Sequence, residues 1–377
     1  MRILLLLNSY LKDAPNCVML SIAQYLNNNA WDVSVCSMTS EDGYISDMLR
    51  EAGISKIYAL NMSSPFFVRK ACADLSRIID NVKPDIVHAG LARPSVIASL
   101  LAYFRDIGIL TWTQSGIHEW SECPPIPRII MKYIIRLMSH KAERIVAVSD
   151  GLCNVLIDNE FLASRVIAIP NGVDTNRYQP DTSKCTQLRE ILSINSTSPL
   201  FGSAGNLRFV KGYDLLIKAF SCLKQNLKSA HLVIWGDGPE MENLKSMTQK
   251  QHLSECVHFL GHSNQLPDFL PQLDVYVQPS RQEAFGLATA EALASNVPVV
   301  VNDTPGLSDL SKPGVTGERT NCFSPNDFAS TMASVYQNRT VYADKCRQFI
   351  CDNFSETRML TAYEKLFREL VRGHANV

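Results

Sequence analysis

Tyr276-Val-Gln-Pro-Ser280-Arg-Gln-Glu283-Ala-Phe-Gly286-Leu-Ala-Thr-Ala-Glu291-Ala is the stretch that decides how this chain folds. A β-rich run closes at Pro279 and a loop carries Glu283. After Gly286 a row of helix formers, Leu287 to Ala294, takes over. Strand, short loop and helix form the repeating unit of a parallel sheet covered by helices. A helix starting near Gly286 turns its unbonded amides toward the strand end, where they can hold an anion or hydroxyl groups. Glu291 lies about one turn into that helix and Glu283 before it. The two carboxylates can then accept hydrogen bonds from different parts of one extended ligand. Taken alone, the pair reads more simply as a solvated loop charge and a helix-surface charge.

Outward from this segment the same rhythm repeats. On either side, strands are expected at Leu200–Ala204, His231–Trp235, Val257–Leu260, Val275–Gln278 and Val297–Val301. Helices are expected at Tyr213–Lys224, Met241–His252, Asn264–Leu270 and Asn326–Asn338. The first half carries its own series, with strands at Arg2–Leu7, Asp32–Ser37, Lys56–Ala59, Asp85–Ala89, Gly108–Thr113, Arg144–Ala147 and Val166–Ile169. Its helices are expected at Cys17–Asn27, Val68–Asn81, Pro94–Arg105 and Pro127–His140. Between the halves, residues 179–198 are polar and lack a strand pattern, which marks a linker. The expected fold is therefore α/β, with two doubly wound parallel-sheet domains, 1–178 and 199–354, facing a central cleft at their strand ends. Residues 355–377 read as a terminal helix that packs back on the first domain.

Composition narrows the function. A net charge of −1 over 377 residues gives no bulk attraction to nucleic acid. The eleven cysteines, among them Cys17, Cys36, Cys72, Cys123 and Cys153, are scattered and odd in number, without a CxxC pair. They read as reduced structural thiols rather than a disulfide or zinc framework. The opening MRILLLL reads as a first buried strand, not a signal peptide, and no apolar stretch is long enough to span a bilayer. A cytoplasmic or peripheral protein is expected.

A second segment supplies cations. Ala204-Gly-Asn-Leu-Arg208-Phe-Val-Lys211-Gly212-Tyr-Asp214 follows the first strand of the second domain and opens a helix. Arg208 and Lys211 lie three apart in a turn, so both can reach one diphosphate, Arg as a planar fork and Lys as a mobile charge. No DxD-type carboxylate pair for a divalent cation closes a strand. Arg208, Lys211 and the helix start are expected to do that ion's work, with no metal required.

In these two segments the chain resembles glycosyltransferase family 4, which has the two-domain GT-B fold. Glu283 and Glu291 have the spacing of its Glu-x7-Glu motif, inside the context PS-x-x-E-A-F-G-L-x-x-x-E-A. Residues 205–214 match its G-x-L-x-x-x-K-G-x-D segment. The resemblance implies that Glu283 contacts the donor sugar and Glu291 the nucleotide ribose. The backbone at Phe285, Gly286 and Leu287 would meet sugar and diphosphate, and Arg208 and Lys211 would neutralise the departing nucleoside diphosphate. Gly116-Ile-His118-Glu119 follows a first-domain strand where the family has a histidine near the reacting centre, so His118 joins the catalytic candidates. Gly306 and Asp309 stand at the family's Gly-x-x-Glu, with Asp in place of Glu. The first loop departs further. Relatives usually carry a glycine pair there, whereas Asn8-Ser-Tyr-Leu-Lys-Asp13-Ala14-Pro15-Asn16 has no glycine, so either Ala14 and Asn16 tolerate the geometry and meet substrate or the loop contacts the acceptor differently.

The activity implied is retaining transfer from a UDP- or GDP-linked sugar to a hydroxyl of a saccharide or polyprenyl-linked saccharide. The setting implied is lipopolysaccharide, O-antigen or capsule biosynthesis. A non-catalytic nucleotide-sugar-binding module and a GT-B nucleotide-sugar epimerase are the alternatives. Arg128, Lys132 and Arg136 form an i, i+4, i+8 basic row. It reads first as a solvated stripe and second as a contact with anionic membrane.

Overall fold

The computed structural model describes residues 1–40, 42–62, 68–115, 125–180 and 187–375. They divide into two compact units, Met1–Asn171 with Met359–Val377, and Gly172–Arg358.

The first unit is built on seven parallel strands. In chain order they are β1 Arg2–Leu7, β2 Asp32–Ser37, β3 Ile57–Ala59, β4 Ile86–Gly90, β5 Ile109–Gln114, β6 Arg144–Ala147 and β7 Val166–Ala168. Their spatial order is β3-β2-β1-β4-β5-β6-β7. Ile3 to Leu7 are all buried, because a parallel sheet covered on both faces hides successive side chains rather than alternate ones. Leu5 lies opposite Val35 on one side and His88 on the other.

The terminal helix, Glu356–Ala375, closes this core. Met359, Leu360, Tyr363, Leu366 and Phe367, at helical spacing, pack among Ile3, Leu5, Trp31 and Ile86. Its polar tie is a buried ladder. His88 stands between the hydroxyls of Thr111 at 2.8 Å and Thr113 at 3.0 Å, and Thr113 bonds the Tyr363 hydroxyl at 2.9 Å. Burial drives the His88 imidazole down to about 3, so it is neutral in the fold.

The second unit has six parallel strands, β8 Leu200–Ala204, β9 His231–Trp235, β10 Val257–Gly261, β11 Val275–Gln278, β12 Val299–Asn302 and β13 Gly317–Thr320, in the order β10-β9-β8-β11-β12-β13. The sequence pattern did not identify β13, whose four residues Gly-Glu-Arg-Thr carry no apolar signal. It forms by pairing with β12 at the sheet edge.

The helices Tyr44–Glu51, Asp150–Asp158, Gln187–Ile191, Pro305–Leu310 and Arg339–Asn353 are likewise additions to the sequence reading. Gln187–Ile191 falls within the stretch read as a linker. Leu188 is buried there, its amide donating to Gln272, while Arg189 is ion-paired with Asp274 at 2.9 Å.

The division between units falls ahead of that stretch, after Asn171. Residues 172–178 belong to the second unit because Val173 bridges Ser355 and the Arg347 guanidinium holds the carbonyls of Thr175 and Tyr178 at 2.9 Å each.

Candidate functional site

In both sheets the strand order reverses beside the first strand, at β1/β4 and at β8/β11. The loops leaving the carboxyl ends of such a strand pair diverge and open a crevice, the common ligand position in open α/β sheets. In the second unit the loop after β8 carries Arg208 and Lys211, and the loop after β11 carries Glu283.

The structure joins the two loops directly. Lys211 Nζ donates to Glu283 Oε2 at 2.6 Å, with the Lys211 side chain 26% exposed and that of Glu283 12% exposed. The Ser280 hydroxyl donates to the same oxygen at 3.1 Å and receives a bond from Gln278 Nε2 at 2.8 Å. Gln278 Oε1 in turn accepts from the Tyr276 hydroxyl at 2.8 Å. A buried chain of side-chain bonds therefore runs up β11 and ends on the Glu283 carboxylate.

Behind it, Arg281 grips Asp214 through both guanidinium nitrogens at 2.7 and 2.8 Å and donates to the Phe209 carbonyl. The fork holds the carboxyl of Asp214 below the usual range, although burial alone would raise it.

Close backbone approach fixes two glycines. Gly212 has φ of 72° and opens the helix Tyr213–Leu223, and a Cβ there would strike the Pro279 carbonyl at the end of β11. A Cβ on Gly306 would lie 2.5 Å from the carbonyl oxygens of both Glu283 and Ala284. These contacts lock the Lys211 turn and the Pro305–Leu310 helix against the Glu283 loop.

Gly286, in a left-handed conformation, precedes the helix Leu287–Ala294. Phe285 is buried with its ring 5.7 Å from Phe354, and Leu287 is half-buried. The hydroxyl of fully buried Thr289, close to Gly286, has no hydrogen-bond partner among the described residues.

Glu291 lies one turn along this helix. Its carboxyl is hydrogen-bonded to the Tyr178 hydroxyl, and burial pushes it up to about 7 against the pull of Tyr178 and Arg177. Arg347 anchors the arrangement, donating to the Tyr178 carbonyl and, at 2.8 Å, to the carbonyl of Ala294 at the helix end.

Tyr178 and Arg347 were absent from the sequence reading, and Ser280 entered it only as part of the motif around Glu283. Tyr178 reaches Glu291 over more than a hundred residues and Arg347 reaches the end of its helix over 53, separations that leave no local pattern. Ser280 alone had a signal, its place three residues before Glu283.

Arg208 is exposed at the start of the same turn as Lys211. In the first unit, Ala14 is exposed and Asn16 buried at the start of the helix Ala14–Asn28. The Asn16 amide lies within hydrogen-bond reach of Ser9, Leu11 and Asp13, so it ties its own loop together. His118 lies outside the described residues. Among the described residues, no group of three or more His, Cys, Asp or Glu side chains could hold a metal ion, and no helix is long and apolar enough to cross a membrane.

Comparison with known proteins places this geometry in a context. The model of the glycosyl transferases group 1 matches residues 185–351, and that of glycosyltransferase family 4 matches residues 17–177. The O-antigen biosynthesis glycosyltransferase WclY of Escherichia coli is 30% identical over 205 residues, 54% of this chain and 56% of that protein. The chain thus matches about half the length of that relative.

An Escherichia coli UDP-Gal:alpha-D-GlcNAc-diphosphoundecaprenol alpha-1,3-galactosyltransferase is 23% identical over 352 residues, 89% of this chain and 91% of that protein. Among solved structures, Anabaena HepE in complex with UDP and glucose superposes with a TM-score of 0.85. The identity is 19%, and the match covers 98% of this chain and all of that one.

Proposed function

Because the chain belongs to the glycosyltransferases of group 1 and family 4, a class of transferase enzymes with the GT-B fold, we propose that it moves a sugar from a nucleoside-diphosphate donor to a saccharide hydroxyl with retention of configuration. The observation that carries this is the Lys211–Glu283–Ser280 cluster where β8 and β11 diverge.

In this reading the donor diphosphate draws Lys211 away from Glu283, and Arg208 adds its fork to the same phosphates. Glu283, still held by Ser280, accepts bonds from the sugar hydroxyls and stabilises positive charge as it develops at the anomeric carbon. It is not a double-displacement nucleophile; the acceptor attacks the face the diphosphate leaves, and the leaving group helps remove the hydroxyl proton. Glu291 accepts from the ribose hydroxyls, with the Phe285–Leu287 backbone at the sugar and diphosphate. His118, Ala14 and Asn16 serve the acceptor side. Cationic side chains stabilise the leaving group, so no metal is required and chelators leave the rate unchanged.

UDP is the favoured nucleotide, because HepE carries it and the galactosyltransferase relative is named for a UDP-sugar. The acceptor is a saccharide or polyprenyl-linked saccharide of surface-polysaccharide synthesis, the kind of pathway named for WclY.

Cytoplasmic action at an anionic membrane face fits the helix Pro125–Ser139. It exposes Ile129, Ile130, Tyr133 and Leu137 beside Lys132, with Phe104 81% exposed in the same unit. Those exposed apolar side chains are what support the membrane reading, and flotation with anionic vesicles, lost in Ile130→Asp, checks it.

The test of the activity is product analysis by NMR with a panel of UDP- and GDP-sugars. Retention of the anomeric configuration supports the reading and inversion refutes it. Binding without release of nucleoside diphosphate, even with acceptors present, identifies a non-catalytic nucleotide-sugar-binding module instead.

A further inference from the structure

We propose that the second unit carries a separate binding site for a neutral saccharide ring, at the carboxyl ends of β12 and β13 beside the Glu283 loop. A cavity of about 420 Å³, within the size range of small-molecule sites, is lined there by Arg281, Asp303, Thr304, Arg319, Asn321 and Phe323.

Three observations point to a sugar. Phe323 is 60% exposed, an aromatic face open on the rim of a polar hollow, and Phe209 nearby is 61% exposed. The Arg281 guanidinium lies between them, 3.9 Å from the centroid of Phe209 and 5.9 Å from that of Phe323. A flat apolar face beside planar hydrogen-bonding groups suits a pyranose, which has one C–H face and a girdle of hydroxyls.

Second, Thr304 is 7% exposed, and its hydroxyl has no hydrogen-bond partner among the described residues. A buried hydroxyl on the wall of a polar cavity is a group awaiting a partner. Asn321 adds its amide nitrogen, since the turn at Phe323 uses only the Asn321 oxygen. Asn302 is committed to the floor, donating to the Ser280 carbonyl and accepting from the Cys322 amide.

Third, the charges cancel. Arg281 is matched by Asp214 and Arg319 by Asp303, the latter at 3.5 Å. With Asp303 on the lining itself there is little net positive charge to draw a phosphate, whereas hydroxyls can share the existing pairs as donors and acceptors. The occupant is therefore a neutral sugar unit other than the donor's diphosphate-linked hexose, and an acceptor chain is the species that brings one. The site is read from its own lining, and its test measures binding alone, whatever the outcome for transfer.

The experiment is saturation-transfer NMR on the full chain with lactose, maltose and methyl α-mannoside, repeated with saturating UDP-glucose and with inorganic pyrophosphate. Transfer to ring C–H protons is expected with at least one saccharide and persists in the presence of UDP-glucose and of pyrophosphate. Phe323→Ala should weaken that binding about tenfold, the change that goes with losing roughly 50 Å² of apolar contact. Asp303→Asn should weaken it as well, and UDP binding by calorimetry should be unchanged in both variants. Absence of transfer to all three saccharides, indifference to Phe323→Ala, or displacement by pyrophosphate or UDP-glucose overturns the proposal.

Discussion

Replacing Glu291 with Gln should make the ligand-free protein more stable near neutral pH while impairing nucleotide binding. Burial raises this carboxyl from 4.5 to about 7, so the fold favours its protonated form. A raised carboxyl adds stability that is complete below the unfolded value of 4.5 and disappears as pH rises through about 7. At about 1.4 kcal/mol per tenfold change in proton affinity, the loss is up to about 3 kcal/mol. Glu291 is only half-buried, and solvent screening brings this to about 2 kcal/mol.

Glu291→Gln has no carboxyl to ionise, so it should exceed the wild type by about 2 kcal/mol at about pH 8, with the advantage shrinking as pH falls from about 7 and gone by about pH 4.5. Urea unfolding followed by circular dichroism across that range measures it. If Glu291 holds the nucleotide ribose as proposed, UDP titration of the same variant should show roughly tenfold or greater weakening, because an amide cannot accept from two ribose hydroxyls on two oxygens. Equal or lower stability of the variant at about pH 8 would show that burial does not hold this carboxyl up.

Lys211→Ala should lower turnover by about 10³-fold, with Lys211→Arg recovering part of the loss, because only a cation offsets the leaving charge; steady-state transfer assays with the best donor check both. His88 should make the first unit acid-sensitive. The unfolded imidazole takes up a proton below 6.5 and the buried one only near 3, so stability falls with pH across that window by on the order of 4 kcal/mol. His88→Gln should flatten the slope, read from unfolding at a series of pH values. Gly306→Ala should destabilise the second unit by about 1–3 kcal/mol and raise the donor KM, because its methyl group displaces the Glu283 backbone; a thermal melt and initial rates decide it.

The parallel sheets were legible because each buried strand announces itself as a short apolar run. β1, β2, β6, β8, β9 and β11 begin and end where the pattern puts them. β13 was not, since a polar edge strand owes its existence to its neighbour. The helix Arg339–Asn353 escaped for a related reason. It buries Tyr342, Cys346 and Ile350 between charged residues, a sparse stripe that local pattern does not separate from a loop.

At the site, local motifs put Glu283 and Lys211 each on a loop after a strand, and the fold brings them to 2.6 Å. Tyr178, which with burial governs the Glu291 carboxyl, sits where only the folded chain could place it.

The ligand-free arrangement also limits how the site can work. Lys211 and Glu283 neutralise each other, so in the proposed mechanism a bound donor would have to offer the lysine a better anion than the carboxylate it leaves, as a diphosphate would. The exchange would leave Glu283 loose if the lysine were its only restraint. It is not, because Ser280, Gln278 and Tyr276 hold the same carboxylate through β11, while Gly306 packs against its backbone. On the proposed mechanism the cation could therefore move to the phosphates while the carboxylate stayed aimed, and a positioning network that outlasts the ion pair is what stabilisation of a developing charge would require.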